Sequence, residues 1–181
     1  MSRPKWRRAL QNSLIVTFYL PSLFLAFSMG LLTPVLPLYA KSFDVSYGLV
    51  GLVSAGAALG MLLSDVPSGM LVRRLGQRRA MLLGAGCAAL STAALFWTRS
   101  ISAAVGWRVL NGFGQALFSV ARHAFIAGAV KTRVRGRTIS LLGGIFRIGR
   151  FIGPTVGGFV AQSYGLRLPF LIAGAASGAA V

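Results

Sequence analysis

The chain has almost no acid. Its 181 residues carry 2 Asp or Glu side chains against 19 Lys or Arg, a formal charge of +17. The two acids are Asp44 and Asp65, and there is 1 histidine and 1 cysteine. These shortages exclude most chemistry. A Ser-His-acid set, a metal-ligand cluster or a paired-carboxylate site each needs more acids or histidines than the chain has. No Gly-rich phosphate loop stands out either. The sequence does not read as an enzyme, and nothing in it asks for a metal or a cofactor. A lone cysteine excludes a disulfide framework, and Cys87 lies in an apolar run where it reads as packing. Charged residues make up only 12% of the chain, about half the ~25% usual in soluble domains.

What the chain has instead is apolar length. Hydrophobic residues reach 55% and the mean hydropathy is +0.73. A soluble protein this apolar would have little polar surface to show to water, so lipid is the solvent that fits. The start, MSRPKWRRALQNSL, is basic like the end of a signal peptide. The uncharged run from Ala9 to Ala40 is far longer than a signal core of about 7–15 residues, which makes it a retained helix. A membrane span needs roughly 20 apolar residues. The sequence supplies spans at 12–40, 45–72, 80–98, 102–130 and 138–164. Pro21, Pro34 and Pro37 are set to kink or end the first. The fourth carries Arg108, Arg122 and His123, and the fifth carries Arg147 and Arg150. A sixth, 168–181, begins at Leu168 and is still apolar at Val181, too short to cross from there. The fold expected is an all-α integral membrane bundle of six helices, the sixth truncated.

The polar gaps between spans then become topology signals. Arg3, Lys5, Arg7 and Arg8 precede the first span. Arg73, Arg74, Arg78 and Arg79 lie between the second and third, and Lys131, Arg133, Arg135 and Arg137 between the fourth and fifth. The alternate gaps hold only Lys41, Arg99 and Arg167 as basic residues. Loops rich in Lys and Arg stay in the cytoplasm, which puts the N-terminus inside a plasma-type cell membrane. The anionic inner leaflet is then the negative partner of the basic loops, at about 1 kcal/mol per basic residue near its surface. Nucleic acid is excluded as a partner, because whole spans separate the basic clusters and they share no face.

Glycine is abundant, at 23 residues. Gly56 and Gly60 stand four apart, as do Gly149, Gly153 and Gly157. Small residues at this spacing let helix backbones approach closely where lipid supplies no hydrophobic drive between helices. The turn Gly69-Met-Leu-Val-Arg-Arg-Leu-Gly-Gln-Arg-Arg79, the run Arg108-Val-Leu-Asn-Gly-Phe-Gly114, the loop Val134-Arg-Gly-Arg137 and the run Gly149-Arg-Phe-Ile-Gly-Pro-Thr-Val-Gly-Gly158 complete the set. Together, in this order and on these helices, they resemble the major facilitator superfamily. The turn is similar to that family's G-x-L-x-D-R-x-G-R-R signature between helices 2 and 3. The second run is similar to its R-x-x-x-G-x-G on helix 4. The last is similar to the G-x-x-x-G-P-x-x-G-G of its antiporter branches, here Gly149, Gly153, Pro154, Gly157 and Gly158. The resemblance covers the chain but only the first six of the family's usual twelve helices. It implies a missing C-terminal half, or a second copy in its place.

The resemblance also implies roles. Gly69, Arg74, Gly76, Arg78 and Arg79 would form the cytoplasmic hinge loop, and the helix-5 glycines a moving interface. One departure stands out. Arg73 occupies the position of the family's loop acid, which helps to latch the two halves, and an arginine cannot complement a helix N-terminus as an acid does. Asp65 is the nearest acid. It and Arg122 each lie about 10 Å from the cytoplasmic ends of their helices at ~1.5 Å per residue, so the two are expected to pair. Alternatively, Asp65 reaches water or the Arg73–Arg74 pair.

Ionisable residues within spans face a cavity or the bundle interior. Arg108, Asn111, Gln115, Ser119 and Arg122 step by three and four and form one polar stripe, which either lines a water path or packs against a polar neighbour. Arg147 points away from the glycine stripe, near mid-depth, where transporter substrate sites lie, and Arg150 follows at i+3. The substrate cavity is therefore placed at Arg108, Asn111, Gln115, Arg147 and Arg150. Arginine does not titrate, which leaves Asp65 and His123 as candidates for a proton relay. The function expected is secondary active transport of a small molecule by alternating access, as proton-coupled efflux or antiport. One alternative is an exporter or exchanger of an organic anion held by the buried arginines. Another, of a different class, is a six-helix oligomeric channel or regulatory membrane subunit.

Overall fold

The computed structural model describes residues 19–129 and 132–180, and every regular element among them is a helix. The six are α1 (Leu20–Lys41), α2 (Tyr47–Leu75), α3 (Gln77–Ala94), α4 (Ile101–Ala129), α5 (Thr132–Tyr164) and α6 (Leu168–Gly178). The part of the first expected span before residue 19, with the basic cluster of Arg3 to Arg8, lies outside the described residues. On length and composition alone, α1, α2 and Gly136–Tyr164 of α5 are long and apolar enough to cross a membrane. Their outward faces are apolar to match: Leu38, Leu62, Leu63, Val66 and Phe159 are all exposed.

Two boundaries differ from the sequence reading in instructive ways. Helix α5 begins at Thr132, not 138, so most of the basic run expected as a loop forms its first turns. Arginine is a good helix former, and a helix that projects past a bilayer has no need to be apolar there. The basic turn between α2 and α3 shrinks to one residue, Gly76, which ends one helix and starts the next. Its φ of +81° is a backbone region that glycine enters at little cost. Its N–H donates to the Val72 carbonyl and its own carbonyl accepts from Ala80 N–H. Arg73 and Arg74 are the last turn of α2, and Arg78 and Arg79 the first turn of α3.

The two most extensive contacts are between helices that are not adjacent in sequence. The main contacts are α2 with α4, α1 with α5, α3 with α4, α3 with α6 and α1 with α6. Exchanging α1–α3 for α4–α6 maps this pattern onto itself. The bundle is thus two three-helix repeats, and an odd number of helices leaves the second repeat inverted relative to the first.

The two largest contacts are made backbone to backbone. Gly60 lies against Val109, and Gly112 against Ala57 and Met61, so closely that a Cβ on either glycine would overlap its neighbour. Gly149 lies against Ala26 and Phe27, Gly153 against Gly30 and Leu31, and Gly157 against Leu31, in the same way. Pro34 and Pro154 sit inside α1 and α5. Each proline leaves the carbonyl four residues before it without its helical N–H, and those carbonyls belong to Gly30 and Arg150, which touch one another. Two apolar clusters fill the ends of the bundle. One is built on Val72, Met81, Leu117 and Phe118, the other on Leu31, Val35, Tyr39, Leu95 and Phe170. The Tyr39 hydroxyl reaches the carbonyls of Leu95 and Thr98, at 3.0 and 3.1 Å, and ties α1 to the end of α3.

Gly157 and Gly158 provide an internal control. A Cβ at Gly157 would collide with Leu31, whereas one at Gly158 meets nothing. Gly157→Ala is expected to destabilise the protein by about 1–3 kcal/mol. Gly158→Ala should leave it unchanged or slightly more stable. Thermal unfolding of the purified variants in detergent checks both; equal melting temperatures would show that the α1–α5 contact is looser than described.

Candidate functional site

Between the two apolar clusters, along α3 and α4, lies a polar layer. Its hub is Asn111, which is 3% exposed. The Asn111 amide donates to the Ala88 carbonyl at 3.1 Å and to Thr92 Oγ1 at 2.8 Å. Its Oδ1 accepts from Arg108 at 3.3 Å and from the Gln115 amide one turn later. Arg108 Nε donates to the Val53 carbonyl on α2 at 3.4 Å. Arg108 is itself 7% exposed. Thus Asn111 spends its whole hydrogen-bonding capacity on holding Arg108 and Gln115 in place against α3. This layer is possible because Gly56 brings α2 up to the Arg108 Cβ; a larger residue there would push the helices apart.

The layer opens onto a cleft of about 330 Å³. Arg108, Asn111 and Gln115 form its α4 wall, with Thr92 and Ala88 behind them. Leu25, Ser28, Met29, Leu32, Thr33 and Leu36 supply the α1 wall, and Ser54, Ala57, Ala58 and Met61 the α2 wall. Arg150 enters from α5 and Ser177 from α6. No Asp or Glu is among the described residues that line it.

The structure therefore brings four of the five residues placed in the cavity onto one surface: Arg108, Asn111, Gln115 and Arg150. Arg147 is not with them. It is exposed on the outer side of α5, off the cleft. The polar stripe of α4 is also not continuous. Below Gln115 it breaks into two separate environments. Ser119 and His123 turn to each other, with His123 Nδ1 2.8 Å from the Ser119 carbonyl, and His123 is exposed. Arg122 is buried, donates to Ser22 Oγ at 3.2 Å, and lies 5.0 Å and 5.7 Å from the Phe146 and Phe118 ring centres.

The expected Asp65–Arg122 pair does not form. Asp65 is exposed on α2, and Arg122 Nε is buried without a partner. Equal depth placed the two at one level but said nothing of direction. Asp65 comes five residues after Gly60, about 140° past a full turn at ~3.6 residues per turn, and so off the face that meets α4. Of the antiporter-type motif, Gly149, Gly153 and Gly157 face α1 inside this bundle, whereas a Cβ at Gly158 would meet nothing and Pro154 is half-buried in α5. In the basic turn, Gly69 lies within α2 and Arg73, Arg74, Arg78 and Arg79 are exposed. Arg73 and Arg74 suit the negative C-terminal end of α2, but Arg78 and Arg79 oppose the positive start of α3. Thr92, Ser22 and the Val53 carbonyl carry no signal in the residue pattern, since one hydroxyl or one backbone oxygen in an apolar run looks like any other.

The family model described as Major Facilitator Superfamily matches residues 18–181. The chain belongs to that superfamily. Among its curated relatives is multidrug resistance protein 2 of Bacillus subtilis, 28% identical over 166 residues, which are 91% of this chain and 41% of that protein. Multidrug resistance protein 1 of the same organism is also 28% identical, across 91% of this chain and 42% of its own length. The quinolone resistance protein NorA of Staphylococcus aureus is 26% identical over 164 residues, 91% of this chain and 42% of NorA. The chain thus spans about two fifths of the length of these relatives. Major facilitator proteins are multi-pass membrane proteins, and the family is one of transporters rather than enzymes.

Two outcomes follow for this major facilitator chain. Asn111→Leu keeps the shape but strands Thr92, Gln115 and Arg108, and should cost about 2 kcal/mol or more in thermal unfolding. Asp65→Asn and Arg122→Gln should be additive within about 0.5 kcal/mol in a double-mutant cycle on the same assay. A larger coupling would mean the two side chains do meet.

Proposed function

We propose that this chain forms the first half of a secondary transporter that exports a small molecule across the plasma membrane by alternating access, driven by protons. The observation that carries the reading is the cleft. A polar layer with a nine-tenths buried arginine, fixed from both sides and open to a cavity walled by Met and Leu, is costly inside a membrane and suits a surface that meets cargo. Names among the relatives, multidrug resistance and quinolone resistance, favour the efflux direction. The distribution of basic residues supports a cytoplasmic N-terminus, with the Gly69–Arg79 turn on the cytoplasmic side.

In this reading the glycine contacts of α1 with α5 and of α2 with α4 make the bundle one rigid body. In this proposal it rocks against a second half, and the cleft is its share of the central site. The side chains weighed for the proton path are Asp65 and His123. His123 is already engaged with its own helix, and neither lines the cleft. Asp65 is exposed on α2 and is the group this proposal assigns to proton coupling.

Expression of the gene product in a host lacking its own pumps should lower the accumulation of a fluorescent quinolone and restore it when a protonophore is added. Efflux should survive His123→Gln and fall to background in Arg108→Ala. Asp65→Asn should remove its dependence on the proton gradient. Unchanged efflux in Arg108→Ala would remove the cleft from the transport path.

A further inference from the structure

The charge balance inside the cleft points to the cargo. Two arginines, Arg108 and Arg150, line it, and no carboxylate among the described residues does. The neighbouring polar groups do not offset them. The Ser54 hydroxyl donates to the Val50 carbonyl at 2.9 Å, and the Thr33 hydroxyl to the Met29 carbonyl at 3.1 Å. Ser177 donates to Ser28 at 2.9 Å. The amide of Asn111 is fully used within the protein. A guanidinium has five N–H donors, and the protein accepts from only two nitrogens of Arg108, Nε and one Nη. None of its nitrogens is sealed away without a partner, so the unused donors open onto the cleft. Across from them the wall is apolar and adaptable: Leu25, Met29, Leu32, Leu36 and Met61. Methionine side chains refit to varied apolar shapes.

We infer that the cleft takes an amphipathic monoanion. Its carboxylate, sulfonate or phosphate head binds the fork of Arg108 and the guanidinium of Arg150, and its hydrocarbon body lies on the Met29–Met61 wall. Planar guanidinium forks match such heads through paired, charge-assisted hydrogen bonds. A lipophilic cation in the same place would meet two like charges. Asn111 is a positioning residue here: it aims Arg108 and has no capacity left for the cargo. The inference rests on the transport reading above and assigns its substrate class.

The test uses the gene product as expressed, purified and reconstituted into vesicles. Two probes are matched in size: naphthalene sulfonate, a permanent monoanion, and naphthylmethyl trimethylammonium, a permanent monocation. Saturable transport of the sulfonate and none of the ammonium is expected. Arg150→Gln should raise the KM for the sulfonate at least tenfold, and Arg150→Lys should recover part of the loss. Because Arg150 is exposed on the bundle, its replacement should leave folding intact, and Arg108→Gln, scored by the same KM, is the second variant. Transport of the ammonium alone, or of the sulfonate with a KM that neither arginine variant changes, overturns the substrate class and leaves the transport reading standing. Failure to move either probe, with no sulfonate binding by calorimetry, overturns the inference. Loss of quinolone efflux in cells would be needed to overturn the transport reading as well.

Discussion

Everything in this bundle depends on how closely two pairs of helices approach. Lipid is as apolar as leucine, so burying leucine between membrane helices gains little, and cohesion must come from contact itself. Here the contact is made by backbone atoms. Gly60 and Gly112 let α2 and α4 touch, and Gly149, Gly153 and Gly157 do the same for α5 and α1. Dispersion falls steeply with separation. A gap of even one methyl at these points would cost the contacts along the whole crossing, not only those at one residue.

The close approach also makes the charged interior possible. Arg108 can donate to the Val53 carbonyl only because α2 runs against it at Gly56. With that carbonyl on one side and Asn111 on the other, the guanidinium keeps a fixed direction without an acid beside it. Arg122 shows a different solution on the same helix. It is held by one hydroxyl and two aromatic rings, which hold a cation yet leave its Nε unsatisfied. One arginine is fixed with donors to spare on an open cleft. The other is enclosed. Residue type and burial are the same for both, so the neighbours decide which can meet a ligand.

Much of this was readable from the residues alone, and the limits follow a pattern. Helical periodicity states which side chains share a face, so the grouping of Arg108, Asn111 and Gln115 and the common side of Gly149, Gly153 and Gly157 could be read directly. Periodicity does not state which helix a face meets. That α1 pairs with α5 and not with its neighbour α2 depends on contacts between distant parts of the chain, and no local pattern records them. The same gap explains Asp65 and Arg122, where the pattern gave a position along each helix but not the direction of the side chain. It explains Arg147 too: lying opposite the glycine stripe placed it away from α1, but only the positions of α1, α2 and α4 show that the cleft lies nearer Arg150. The start of α5 was hidden by charge, because a basic helix end and a basic loop have the same composition.

The order of these pairings has a consequence in time. Protein synthesis delivers roughly 5–20 residues per second, so α1 emerges several seconds before α5, the helix whose glycines are cut to receive it. During that interval Gly30 and the carbonyl freed by Pro34 face whatever is nearest, as do the buried hydroxyls Ser22 and Ser28. The α2 notch at Gly56 and Gly60 likewise stays open until α4 arrives. A nascent chain of three helices is therefore a set of unfilled sockets rather than half of a finished bundle. The topology sets the order of locking: α1 and α2 are made first, but their glycine sockets fill only when α4 and α5 are in place.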